Sequence, residues 1–473
     1  TMAWWGEAMA WNYGVWNTQF PDSARATLAR LGPTPAARAS RARTPRERDY
    51  LQTVEVLYGT ATKAHRDTAY ATAAARLSQK YPQDDEAKLF YALAVLGLNQ
   101  GVRDVPTYER ALAIAMDVFR RHPDHPGASH YVIHASDDPA HATVGLEAAR
   151  ALAKSSPAAE HAQHMTSHTF LALGMWDDVV AANERATHAD SAMPPMPGMR
   201  RYFCGHANSW LDYGYLSQGR VAAAASLLQQ CQAIAARVGD RTRAEDTDPD
   251  NSLFFSAVAM WSRYLFDTEQ WSSTQAQWEP AVGSAPGPRR TYSFARAFAA
   301  ARRGDLAVAR AGLTALQTAN RDAKARVADA HDGSPETVED EKRANILDLE
   351  LQAAIQSAEG KHDEAIGLLR QATVIEDGMA YAFGPPNVDK PSHELLGEEL
   401  LVLKRGSEAR TEFEWALKRT PRRPLALRGL ALSNEAAGRP AEATAAWREL
   451  VDVWHTADAT LPGVVDARRR VAR

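Results

Sequence analysis

The stretch "LALGMWDDVVAANERA" (Leu171–Ala186) carries the local grammar of the whole chain. An apolar segment ends at Gly174, a short turn follows, and a second segment spaces small or apolar residues three to four apart. That spacing is the period of one buried helix face. The same order returns in "YLSQGRVAAAASLLQQC" (Tyr215–Cys231), "SAEGKHDEAIGLLRQA" (Ser357–Ala372), "VLKRGSEARTEFEWALKRTP" (Val402–Pro421) and "NEAAGRPAEATAAWRELV" (Asn434–Val451). Pro82, Pro123 and Pro421 close such units, as a residue that cannot continue a helix should. Strand signals are nearly absent.

The recurrence resembles the tetratricopeptide repeat. It implies an all-α solenoid of roughly ten to eleven helical hairpins wound into a right-handed superhelix. The expected divisions are N-terminal hairpins over 1–190, middle hairpins over 191–317, a charged insertion at 318–345, C-terminal hairpins over 346–455 and a tail at 456–473. "SAMPPMPGMRR" (Ser191–Arg201) reads as a proline-rich insertion, and "TANRDAKARVADAHDGSPETVEDEKR" (Thr318–Arg343) as a solvated helix or a mobile loop. "MAYAFGPPNVDKP" (Met379–Pro391) is too rich in aromatics and prolines for a linker and is expected to fold back into the solenoid.

With 473 residues, 45% of them hydrophobic, the chain can bury a large core, and a net charge of −4 makes no electrostatic case for nucleic acid or an anionic membrane. No apolar run approaches the ~20 residues that span a bilayer. Cys204 and Cys231 are too few for a disulfide framework and leave the compartment, cytoplasmic or exported, open. The opening "TMAWWGEAMAW" already lies inside an apolar helical pattern without a cap, which reads as a start trimmed from a longer precursor. Trp4, Trp5, Trp11 and Trp16 are expected in the core, and "RTPRRP" (Arg419–Pro424) as a solvated turn. No glycine-rich nucleotide loop, nucleophile elbow or Cys-x-x-Cys motif occurs.

The histidines are unevenly placed. Eight of the fifteen fall between His122 and His168. His130 and His164 are 34 residues apart, as are His134 and His168, and 34 residues is one repeat. Members of each pair are four apart, on one helix face. Equivalent positions on neighbouring hairpins then predict four imidazoles converging on one volume. His161 and His206 fall nearby in register. Neutral imidazoles suit zinc, copper or iron, and scarce cysteine disfavours a thiolate site. There is no H-E-x-x-H, because Tyr131 follows His130 and Met165 follows His164, so the ready-made zinc-protease base is missing. The expected ligands of one divalent transition metal are therefore His130, His134, His164, His168, His206 and His161. Asp137, Glu7 and Tyr213 are candidates for proton transfer or catalysis. Asp138, Glu394 and Glu398 are candidates for lining a substrate groove. His122 and His125 read as turn residues, and His141 as a helix-start residue.

Four segments, "AMAWWGEAMAW", "HPGASHYVIHASDDPAH", "HAQHMTSHTFLALGMWDDVVAANE" and "GPPNVDKPSHELLGEELL", resemble a family of bacterial tetratricopeptide-repeat proteins, over Ala3 to about Leu430. In that family the segment like Gln163–His168 more usually reads His-Met-Pro-Ser-His, and Thr166 stands here where proline is common. The resemblance implies a solenoid whose first helices line a concave, histidine-rich groove; it implies no reaction. Two readings follow. One is a metal-dependent enzyme acting on a small molecule or peptide, oxidative with iron or copper and hydrolytic or eliminative with zinc. The other is a metal-free interaction module holding a peptide or protein partner in the same groove. Oligomeric state is open.

Overall fold

The computed structural model describes residues 1–100, 102–192, 204–238, 253–281, 286–330 and 335–472. These are almost entirely helical, with 23 α-helices and one two-stranded antiparallel ribbon pairing Asn12–Tyr13 with Thr18–Gln19. Most of the proline-rich stretch 191–201 lies outside the described residues. Within the charged stretch 318–345, the residues to Ala330 end one long helix and those from Pro335 begin the next, so the helical alternative describes them.

The contacts divide the chain into two compact units. The first holds α1 (Met2–Met9), α2 (Pro21–Leu31), α3 (Pro35–Ala39), α4 (Pro45–Leu57), α5 (Lys63–Lys80), α6 (Asp85–Leu96), α7 (Val105–Arg121), α8 (Pro126–Ala135) and most of α9 (Ala142–Ser155). Its N-terminal core centres on Trp5, Tyr50, Leu51, Val54, Leu57 and Tyr70. Helices begin where a short polar side chain accepts the orphan N–H groups of the first turn: Thr44 caps α4, Asp84 caps α6 and Asp104 caps α7. Trp16 is not core; it is 38% exposed.

The second unit holds α10 (Glu160–Ala172), α11 (Trp176–Ala192), α12 (His206–Ser217), α13 (Val221–Val238), α14 (Leu253–Thr268), α15 (Pro286–Arg302), α16 (Leu306–Ala330), α17 (Pro335–Ala358) and α18 (His362–Asp377). It continues through α19 (Ser392–Val402), α20 (Gly406–Arg419), α21 (Pro424–Ala436), α22 (Pro440–Val453) and α23 (Pro462–Val471). Successive helices pair, and first helices of neighbouring hairpins also touch, as α12 does α14 and α19 does α21. One continuous core runs from Val180 to Ala426. Cys204 and Cys231 are joined in a buried disulfide that ties the start of α12 to α13.

This unit closes on itself. The indole of Trp176 donates to the carbonyl of Arg422 at 3.0 Å, and Arg422 donates to the carbonyl of Gly174 at 3.4 Å. A second junction lies beside it: Asp458 donates its N–H to Gly219 and accepts from the N–H of Ala222 at the start of α13. Gly174 has φ +66°, and a Cβ there would sit 2.4 Å from the Pro421 carbonyl oxygen. Gly174→Ala should therefore carry both the left-handed backbone cost of about 1–2 kcal/mol and an overpacking cost of about 1–3 kcal/mol. Gly438→Ala, at φ +69° with open space around it, should carry only the first. Urea titrations of the two variants test the seam, because equal losses would mean that closeness at Gly174 contributes nothing.

Inside the closed unit the first helices turn charged side chains toward one another. Arg423 donates to Glu394 at 2.8 Å, to Asp267 at 2.6 Å and to the Tyr213 hydroxyl at 3.2 Å. Lys390 pairs with Glu394 at 2.7 Å and also with Glu398. The segment Met379–Pro391 does fold into the unit: Lys390 is buried, and Asp389 accepts from Ser262 at 2.5 Å.

Candidate metal centre

Three of the sequence candidates on α10 and α12, His164, His168 and His206, come together. One ligand atom from each of His164, His168 and His206 can be chosen so that all lie within 4.8 Å of one another. The i, i+4 pair on α10 has ring centroids 5.2 Å apart, and His206, the first residue of α12, brings its ring to 4.6 Å from that of His164. A tetrahedral ion with metal–nitrogen bonds of about 2.0–2.1 Å needs nitrogens roughly 3.3 Å apart, so modest side-chain rotation closes the set.

The environment of His164 fixes its chemistry. Asn183 on α11 donates its amide N–H to the Val179 carbonyl at 2.9 Å, which turns its oxygen toward His164. That oxygen lies 2.8 Å from His164 Nδ1 and must accept from it. The proton therefore sits on Nδ1, and Nε2 carries the lone pair. Nε2 is buried and has no hydrogen-bond partner among the described residues. A buried acceptor left unpaired costs about 1–3 kcal/mol, a cost that an ion at that position removes. Burial, then the neighbouring His206 and His168 rings, hold the His164 pKa well below the usual imidazole value. Burial first, and then His168 and His161, push His206 down to about 3. Both rings are thus neutral at pH 7, the ligating form.

Trp210 forms a wall for the site, with its centroid 4.9 Å from His164, 4.3 Å from His168 and 5.6 Å from His206. Gly384, in the folded-in segment, lies against that indole so closely that a Cβ would be 2.3 Å from Cζ2, and its φ of +145° also favours glycine. Asn183 and Trp210 were not found from sequence; neither stands in a spacing pattern, and only the fold brings them to the imidazoles. Asn183→Ala should weaken metal binding about 10–100-fold, the usual effect of losing a partner that orients a ligating imidazole. Competition against a chelating dye measures it; unchanged affinity would remove Asn183 from the site.

His130 and His134 lie on α8 in the first unit, so the expected pooling of four imidazoles is not a property of either unit taken alone. His161 is exposed near the start of α10. Glu7 pairs with Arg30 on the surface and also accepts from Thr27 at 3.2 Å. Asp137 is buried just after α8. Asp138 does not line a groove: it is buried, accepts from the N–H groups of Ala140 and His141 at 2.8 and 3.0 Å, and holds the His141 ring at 2.8 Å. Tyr213 and Glu394 are likewise buried in the charged network rather than facing an open groove. Burial pushes the Tyr213 hydroxyl up to about 12, so it is a poor base at neutral pH. Glu398 is held by Lys390. His122 and His125 pair with Asp85 and Glu86 of α6. Asp212 on α12 was also missed from sequence; it is fully buried, neither oxygen has a hydrogen-bond partner among the described residues, and burial raises its pKa well above the carboxylate range.

No family model matches the chain, and no curated protein matches it significantly. Among solved structures, the human IFIT1 dimer with PPP-AAAA is 12% identical, covering 96% of this chain and 86% of that one at a TM-score of 0.38. The human IFIT1 dimer with m7Gppp-AAAA is 13% identical over the same shares, at a TM-score of 0.36. A likeness of that size says nothing about ligand or activity. Among the described residues, no helix is long and apolar enough to cross a membrane.

Proposed function

We propose that the protein binds a divalent transition-metal ion, copper, iron or zinc, through His164, His168 and His206, and acts as a metal-dependent enzyme on a small molecule or peptide. One observation carries the reading. His164 Nε2 is buried, has no hydrogen-bond partner among the described residues and carries the lone pair that Asn183 sets, and one ligand atom from each of His164, His168 and His206 can be chosen within 4.8 Å of the others. Three imidazoles leave a four-coordinate ion with an open position for water or substrate, the arrangement that separates catalytic from closed structural sites. The Trp210 wall supports the same reading, because an apolar side shields the ion from bulk water and strengthens its field. Zinc held by these imidazoles would supply activated water, as the nucleophile of a hydrolysis or the base of an elimination; copper or iron with dioxygen would supply oxidative chemistry.

The test is metal reconstitution of the full chain. Zinc or copper should bind stoichiometrically to the triad and raise the melting temperature, since an ion at 100 times its Kd stabilises the folded state by about 2.7 kcal/mol. No stoichiometric uptake, and a melting temperature indifferent to chelator, would leave a metal-free module whose inner surface binds a peptide.

A further inference from the structure

We propose that the disulfide between Cys204 and Cys231 positions His206, and that the metal affinity of the triad depends on this bond through that one residue. The proposal rests on the triad being a metal site and deepens that reading by naming what holds its third ligand in place.

The three imidazoles are not held alike. His164 and His168 lie inside α10 with helix on either side, and Asn183 orients His164 at 2.8 Å. His206 is instead the first residue of α12, and Gly205 before it brings no side chain to accept the free N–H groups of the first turn. Such helix ends fray first. Among the described residues, no hydrogen bond orients the His206 ring. Its place beside His164 therefore follows from where the chain sets down the start of α12.

Two bonds fix that start, and both are made by Cys204, two residues before His206. Its sulfur is joined to Cys231 on α13, and Cys231 belongs to the continuous core together with Leu227 and Leu228. Its N–H donates to Asn208 Oδ1 at 3.0 Å, which folds the approach to the helix back onto the first turn. Cys204 also has φ +91°, a conformation that a residue other than glycine keeps only where its surroundings over-determine it. The disulfide thus ties the ligand-bearing end of α12 to a buried helix. A ligand has to sit within about 0.5 Å of its productive position, so fraying of this one turn is enough to lose the third metal bond.

A double-mutant cycle on the full chain tests this, with copper(II) chloride titrated against a chelating dye. The four proteins are the wild type, Cys204→Ala/Cys231→Ala, His206→Ala and the combination. Removing the disulfide should lower copper affinity about 10–100-fold, the usual loss when a group that orients a ligand goes. In the His206→Ala background the same removal should change it by less than about twofold, the limit of additivity for independent sites. A merely structural disulfide would weaken both backgrounds equally or neither; either result overturns the proposal and leaves the triad standing. A wild type that takes up no copper overturns both. Should the double-alanine chain not fold, Asn208→Ala loosens the same junction and replaces it in the cycle. It should give a smaller loss that again vanishes with His206→Ala, and an equal loss in both backgrounds, or none, overturns the proposal.

Discussion

Replacing Arg423 by methionine should destabilise the second unit by about 3–5 kcal/mol, the range for removing one partner of a buried ion pair. Arg423 is 1% exposed and stands between two buried carboxylates, Glu394 at 2.8 Å and Asp267 at 2.6 Å. Its loss leaves Asp267 uncompensated. Lys390 still serves Glu394, but it already shares its charge with Glu398. Arg423→Lys keeps the charge yet cannot reach Glu394, Asp267 and Tyr213 with one ammonium, so it should fall between wild type and methionine. Chemical denaturation gives the order. If Arg423→Met lies within about 1 kcal/mol of wild type, the network is hydrated in solution and contributes as little as a surface pair.

The second large effect is at His206. His206→Ala should reduce the affinity of the triad for zinc by more than the roughly 10–100-fold expected when only an orienting partner is lost, because two imidazoles then replace three. His164→Ala should do the same. His206 is the informative position, since it is not repeat-equivalent to His164 or His168 and comes from a different helix. A dye competition titration in which His206→Ala binds like wild type would show that the third ligand is another group.

The hairpin grammar was readable because it is local: a glycine in the turn and an apolar face every three to four residues are written within 20 residues of one another. His164, His168 and His206 were readable for the same reason, as register within a repeat. What the sequence hid depends on the rotation accumulated over many hairpins. "RTPRRP" has the look of a solvated turn, yet Arg422 lies at the seam beside Gly174 and Arg423 is buried. The register of Tyr213 and Glu394 said nothing about whether the surface they face is open, and a closed unit fills it with paired charge. The bond between Cys204 and Cys231 spans 27 residues with no motif to announce it.

An open array of repeats has two free ends, and each can fray or be trimmed with a graded loss of stability. The junctions at Gly174 with Arg422 and at Gly219 with Asp458 take that freedom from the second unit, because residues 248 positions apart become neighbours. Closing so long a loop costs only slightly more entropy than closing a short one, as the penalty grows with the logarithm of length. What it costs is time: folding waits on a meeting between distant stretches, unlike the fast zippering of a simple helical stack. Removing the last helices would thus not shorten a rod by one rung. It would uncouple a hoop, and protection of backbone amides against exchange should fall on both sides of the break together.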